Sequence, residues 1–393
     1  MRKIAFVSPW YGDNIPGGAE TALRGIILHL RQAGVDIEVL TTCVQQFTAD
    51  WNKNYYKSGL DNVGGVPVRR FKVRKRDTKA FDRVNAKLIQ GQKVTPAEEE
   101  IFMQEMVNSP ELYKYIADYR DEYDAFVYIP YMFGTTYYGI LACPEKAVVI
   151  PCFHEEAYIH MDIYKKAFES VKGIIYLAEP EKETAHKVFD FSGISEVVIG
   201  TGVETRIEYD ADAFREKFGI KEPFILYAGR KDVGKNVDIL LNYFAEYKYR
   251  NNDSDLKLVL LGGGEIPIPA SVKKDVIDLG FVDIQDKNNA YAAANMLCQP
   301  STHESFSIVI MESWLCERPV LVHEGCDVTR EFVKRSNGGL YFGDYYEFEE
   351  CVDYILTHED EAKIMGQQGK QFVLENYDWD VVTRKIRDFI TKG

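Results

Sequence analysis

Twice along these 393 residues a short apolar run ends in a loop rich in glycine or charge and gives way to residues spaced for a helix. The first run is residues 4–8. A loop with Pro9, Gly12, Pro16, Gly17 and Gly18 follows, then Ala22, Leu23, Ile26, Ile27 and Leu30 at helical spacing. Gly34 stops that helix, and residues 35–41 read as the next strand. The second run is residues 224–228, followed by Gly229, Arg230 and Lys235 and a helix through Ile239, Leu240 and Phe244. A strand buried on both faces is written as a continuous apolar run, and its parallel neighbour is reached through a crossover helix. The rhythm recurs in both halves. It predicts an α/β chain of two Rossmann-like, doubly wound parallel sheets.

Further strands are expected at 123–128, 148–151, 173–177 and 197–199, and in the second half at 256–261, 276–279, 296–299 and 320–323. Residues 77–122 read as polar helices, with Thr95, Pro96, Ala97 and Glu98 as a helix start. The turn-rich Gly200-Thr201-Gly202-Val203-Glu204 suggests a boundary near 200–210. The expected domains are 1–203, 204–376, and a terminal amphipathic helix within 377–393 that packs back on the first domain. Residues 66–76 form a strand-like stretch holding Arg69, Arg70, Lys72, Arg74, Lys75 and Arg76. It is read either as an edge strand guarded by cations or as a contact for an anionic acceptor or a lipid surface.

Composition narrows the partners. Apolar residues make up 46% of the chain, enough for proper cores, and the formal net charge of −14 argues against a nucleic-acid backbone as the main partner. Seven scattered cysteines with no Cys-x-x-Cys indicate neither a disulfide framework nor a zinc site, and favour a reducing compartment. His154 and His160, six apart, suit no single-helix metal pair, so no metal is expected. The N-terminal apolar run is too short for a signal peptide, and no stretch of about 18 apolar residues could span a membrane. The expected location is cytoplasmic, at most against the inner membrane surface.

Open α/β sheets bind ligands beyond the carboxyl ends of their strands. Three such loops carry chemistry. In residues 298–318, Glu304 reads as loop and Glu312 as about two turns along a buried helix, with free helix-start N–H groups around Ser305, Phe306 and Ser307. Those donors make an anion site, and the two carboxylates could hold hydroxyls of a sugar and of a ribose. Taken alone, the pair fits equally a helix cap at Glu304 and a solvated Glu312. Arg230 offers a planar fork for phosphate oxygens and Lys235 a point charge, together enough to neutralise a diphosphate without a metal. Taken alone they also fit two surface cations on a loop. Gly17 and Gly18 could turn main-chain N–H groups toward the same diphosphate, though a plain turn explains them too. His154 could touch sugar or acceptor, and a structural role for it and for His303 stays open.

Taken in order, these motifs resemble the retaining glycosyltransferases of family 4, which have the GT-B fold of two Rossmann-like domains facing across a cleft. The pieces are Gly17-Gly18-Ala19-Glu20, His154-Glu155, Gly200-Thr201-Gly202-Val203, Gly229-Arg230 with Lys235, and Glu304 with Glu312. Where the family often reads Glu-Gly-Phe-Gly, this chain has Glu304-Ser305-Phe306-Ser307. The resemblance implies that Glu304 holds the donor sugar and steadies charge at its anomeric centre, and that Glu312 grips the ribose. It implies that Arg230 and Lys235 bind the diphosphate, Gly17 and Gly18 touch the phosphates, and His154 lies near sugar and acceptor. It further implies hexose transfer from a UDP- or GDP-sugar to a glycan or lipid-linked acceptor in bacterial surface polysaccharide synthesis, with GDP-mannose one donor. No cofactor is implied. The alternatives are a nucleotide-sugar epimerase or phosphorylase of the same fold, a nicotinamide dehydrogenase, and a non-catalytic nucleotide-sugar-binding protein.

Overall fold

The structure, a computed structural model, describes residues 3–392. It divides into two compact units. One is built from the chain up to Gly202 together with the residues from Asp380 onward; the other is Val203–Trp379.

The first unit is built on an eight-stranded sheet among the described residues. Its strands are β1 (Lys3–Ser8), β2 (Ile37–Thr42), β3 (Gly59–Val63), β4 (Val66–Phe71), β5 (Tyr123–Tyr128), β6 (Ala147–Val149), β7 (Gly173–Tyr176) and β8 (Ser195–Val198). They lie in the order β3-β4-β2-β1-β5-β6-β7-β8. Every pairing is parallel except β3 on β4, which is antiparallel. The helix Gly18–Gln32 buries Ala22, Leu23, Ile26, Ile27 and Leu30, the same five residues its spacing picks out. Helix Pro96–Glu105 starts where expected. Thr95 caps it, Pro96 opens it, and Glu98 reaches back to complete a capping box. The terminal helix Trp379–Lys392 buries Val382, Ile386 and Ile390. Its Phe389 ring occupies the space beside Gly173 in β7, where an added Cβ would meet it at 2.9 Å.

One expectation about residues 66–76 is corrected. Strand β4 ends at Phe71 and is not an edge, because β3 covers it. The β3–β4 hairpin turns on Gly64 (φ 56) and Gly65 (φ 82), and two successive positive φ values are what a tight two-residue hairpin demands. The cations are also largely engaged inside the unit. Arg69 pairs with Glu38 at 3.0 Å, Arg70 with Asp61 at 2.9 Å, and Arg74 with Glu105 at 3.0 Å. Arg76 stacks over Phe81 at 4.3 Å and Trp51 at 4.8 Å. Lys72 and Lys75 remain exposed, too few for a basic patch.

The second unit carries a six-stranded sheet, parallel throughout among the described residues. Its strands are β9 (Phe224–Ala228), β10 (Lys257–Leu261), β11 (Val276–Gly280), β12 (Met296–Gln299), β13 (Val320–His323) and β14 (Gly339–Phe342). Their order is β11-β10-β9-β12-β13-β14. The chain therefore runs outward from β9 to one edge, returns to β12 on the other side of β9, and runs to the opposite edge. Neighbouring strands β9 and β12 thus form the point where the winding reverses, and the crevice beyond their carboxyl ends is where such sheets bind ligands. All seven cysteines are free. Cys298 is fully buried in β12, as a core thiol. No helix among the described residues is long and apolar enough to cross a membrane.

Candidate functional site

The loops after β9 and β12 are joined by side chains that the sequence separates by about seventy positions. Lys235 Nζ donates to Glu304 Oε1 at 2.7 Å and lies 3.4 Å from the His303 carbonyl. Asn236, in the left-handed region at φ 55, donates from Nδ2 to the Pro300 carbonyl at 3.0 Å. Both links cross the reversal point. Glu304 is largely enclosed, its side chain 12% exposed, against 29% for Lys235. Arg230 is placed otherwise. Its side chain is 70% exposed, and Asp232 alone holds its Nε. The rest of the guanidinium is open to solvent. Asp232 also accepts from the Lys235 main-chain N–H at 3.0 Å, capping the short turn Val233–Lys235.

Backbone packing shapes this loop. Gly229 has φ 153, and a Cβ there would lie 3.0 Å from the Tyr227 hydroxyl, which donates to the Arg230 carbonyl at 2.7 Å. A Cβ on Gly262, after β10, would collide with the Gly229 carbonyl. The Lys231 N–H meets the Gly263 carbonyl at 2.7 Å. The loops after β9 and β10 thus lie main chain to main chain. Tyr227 is held well above the usual phenol range, first by burial and then by the Glu304 charge.

The loop after β12 departs from expectation in three respects. The helix runs Ile308–Leu315, so Ser305, Phe306 and Ser307 precede it and do not form its first turn. The cap position belongs to Ser307, at φ 71 and with no side-chain cap bond, and not to Glu304. Glu312, the fifth helical residue, lies about one turn along the helix and not two. The first-turn N–H groups, lacking a side-chain acceptor, keep the anion-binding character of an uncapped helix start. Ser307 Oγ faces Gln299 Nε2 at 3.4 Å. The Phe306 ring is core, packed edge-on against Phe332 and Tyr377 at 5.3 and 4.9 Å. Glu312 is held by Lys287 Nζ at 2.6 Å and the Tyr291 hydroxyl at 2.8 Å, both from helix Ile284–Ala293. Neither Lys287 nor Tyr291 carries a motif that sequence reading could have used. Asp232 could have been found as an N-cap ahead of Lys235.

In the first unit, Gly17 has φ 137 and precedes helix Gly18–Gln32, whose start has no side-chain cap bond. The Glu20 carboxylate folds back where a Gly17 Cβ would be, and accepts from Trp10 Nε1 at 2.7 Å. Gly18 faces open space. Half-buried His154 sits in the loop after β6, next to a backbone fixed by two devices. Cys152 adopts φ 57, a left-handed conformation unusual for its type. Buried Glu181 accepts the Phe153 N–H at 2.8 Å and the Leu177 N–H at 2.6 Å, tying the loops after β6 and β7 together. Burial pushes the Glu181 carboxyl up to about 8. Nearby, half-buried Glu156 accepts from the Tyr131 hydroxyl at 2.7 Å and is likewise raised by burial. Among the described residues no group of three or more His, Cys, Asp and Glu is placed to hold a metal ion.

Residues 210–372 match the family described as glycosyl transferases group 1, a span that holds Arg230, Lys235, Glu304 and Glu312. Over this stretch the chain is similar to the glycosyl transferases group 1 family. An uncharacterized glycosyltransferase, MJ1607, from Methanocaldococcus jannaschii is 25% identical over 245 residues, covering 58% of this chain and 61% of that one. The chain spans less than two thirds of the length of the relatives it matches, from 61% down to 26%. Solved structures align over all of it. Sucrose-phosphate synthase from Thermosynechococcus elongatus superposes with TM-score 0.72 at 16% identity, covering 100% of this chain and 99% of that one. HepE from Anabaena, solved with UDP and glucose, gives TM-score 0.66 at 15% identity with both chains covered in full. At these identities the likeness shows the fold alone, which is GT-B.

Proposed function

We propose that the protein is a retaining glycosyltransferase that moves a hexose from a UDP- or GDP-sugar to a hydroxyl of a glycan or lipid-linked acceptor, without a metal. The observation that carries this reading is the Lys235–Glu304 contact at the winding reversal of the second sheet, inside the span matched by the family. Arg230 and Lys235 bind the diphosphate. Glu304 holds the donor sugar and steadies positive charge at its anomeric carbon, and Glu312 takes the ribose once Lys287 shares it. Ser305, Phe306 and Ser307 contribute through main-chain N–H groups or hydroxyls. Gly17, Gly18 and His154 are assigned by resemblance to the phosphates and to the sugar or acceptor.

In the reaction, the bond from the anomeric carbon to the β-phosphate oxygen breaks, and its electron pair stays on that oxygen. The acceptor hydroxyl forms the new bond from the same face, which retains configuration, and its proton passes to the departing phosphate. Negative charge grows where Arg230, Lys235 and the uncapped helix start supply fixed positive charge, each such contact typically lowering the barrier by about 3 kcal/mol. No protein nucleophile takes part. We place this activity in the cytoplasm, in the synthesis of a surface polysaccharide, with at most peripheral membrane contact. The UDP and glucose bound by HepE favour a uridine donor; GDP-mannose is the competing choice.

A thermal-shift panel of UDP, GDP and their glucose, galactose and mannose conjugates tests the donor. A nucleotide at a hundred times its Kd should stabilise the protein by about 2.7 kcal/mol. Incubation of the stabilising donor with acceptor should then release nucleoside diphosphate and form a glycoside. An epimerised nucleotide sugar, or binding with no turnover for any acceptor, would reject the transferase reading.

A further inference from the structure

The first unit contains a pocket of about 340 Å³, at the low end of the size range for small-ligand sites. It opens between the loop after β1, the exit of β2 and the β3–β4 hairpin. Asp13, Asn14, Gln45, Gln46, Asp61 and Asn62 supply its polar groups. Its floor is Arg70, buried to 2% exposure. Arg70 gives Nε to Asp61 at 2.9 Å and Nη2 to the Tyr11 carbonyl at 3.0 Å, and stacks on Tyr56 at 3.9 Å. Its enclosed Nη1 has no hydrogen-bond partner among the described residues.

The polar groups divide by what they already do. Asp61 is committed to Arg70, Asn62 Oδ1 accepts the Gly65 N–H at 2.9 Å, and Gln46 Nε2 donates to Thr48 at 2.8 Å. The side chains of Asp13, Asn14 and Gln45 make no such bond among the described residues, and Gln45 is half-buried. Two amides that each donate and accept, beside a carboxylate that only accepts, match vicinal sugar hydroxyls, which also do both. The charge balance is decisive for the class. Arg70 is neutralised by Asp61, which leaves Asp13 as net negative charge facing the pocket, so a carboxylate or phosphate would be repelled.

We infer that this pocket binds an uncharged pyranose unit of the acceptor through Asp13, Asn14 and Gln45, with Arg70 as the positioning residue that holds Asp61 and Tyr56. The inference rests on the glycosyltransferase reading and names the chemistry of its acceptor. It replaces the anionic acceptor that the basic residues of β4 had suggested.

The test is saturation-transfer NMR on the full chain with UDP present. The probes are methyl α-mannoside, methyl α-glucoside, lactose and chitobiose against glucuronic acid and glucose 6-phosphate. At least one neutral glycoside should bind, and neither acidic sugar. The double variant Asn14→Ala, Gln45→Ala should weaken the neutral ligand by about 10-fold or more while UDP affinity stays unchanged. Asp13→Asn, which removes the repelling charge without emptying the pocket, should admit glucuronic acid. Preference for the acidic sugars, equal binding to the double variant, or no glycoside bound while UDP binds would each overturn the inference. Loss of UDP binding in the unaltered protein would strike the donor reading instead, so the two failures are separable.

Discussion

At the scale of single residues, Glu304 is the most exposed to test. Its carboxylate is nearly enclosed and ion-paired to Lys235, so Glu304→Gln keeps the shape and removes the charge. Turnover should fall by about 100-fold or more, the size seen when one preorganised electrostatic contact is lost, with the donor still bound in a thermal-shift assay. Unchanged turnover would end the assignment. Residue types at the candidate site were legible in the sequence because Gly229, Arg230 and Lys235 follow a strand end, where open α/β sheets bind ligands. Their partners were not legible. Asn236 reaches Pro300, and Lys287 and Tyr291 reach Glu312, across gaps in sequence that no periodicity encodes. The six cations of residues 66–76 mislead for the same reason: Glu38, Asp61 and Glu105, which engage three of them, lie far from them along the chain or across a turn.

At the scale of elements, local chemistry wrote most of what is seen. Helix Pro96–Glu105 begins on a capping box spelled by four adjacent residues. Thr95→Ala should cost about 1 kcal/mol, read as a lower urea midpoint at unchanged slope; no shift would mean that tertiary packing alone holds the helix. The β3–β4 hairpin was also written locally, in Gly64 and Gly65, yet the charge density beside it drew the reading toward an edge strand. The loops after β6 and β7 depend on Glu181, whose folded value of about 8 lies above an ordinary carboxyl. The folded protein then keeps a proton that the unfolded chain, titrating near about 4.3, has lost. This group's contribution is fully present below the unfolded value and is lost as pH rises toward the folded one. The melting temperature should therefore fall between pH 5 and 8 more steeply in the unaltered protein than in Glu181→Gln. Parallel profiles would show that Glu181 is ionised throughout.

At the scale of the whole molecule, the terminal helix Trp379–Lys392 belongs, from Asp380 onward, by its contacts to the first unit although the second unit precedes it in the chain. Ile386 is buried at 1% exposure. Ile386→Ala should cost about 2–5 kcal/mol, lowering the calorimetric transition that UDP does not shift and sparing the one that it does. A fall in the UDP-sensitive transition alone would contradict the division. The sequence by itself determined that two α/β sheets form and which helix faces are buried, because apolar spacing is a property of consecutive residues. It also determined which residue types stand at the strand ends. Only the tertiary structure decided the strand order that sets β9 beside β12 and so brings Lys235 to Glu304. It likewise decided which charges pair internally and where Asp13, Asn14 and Gln45 open onto a pocket. Those outcomes depend on which distant segments become neighbours, and that is settled by packing.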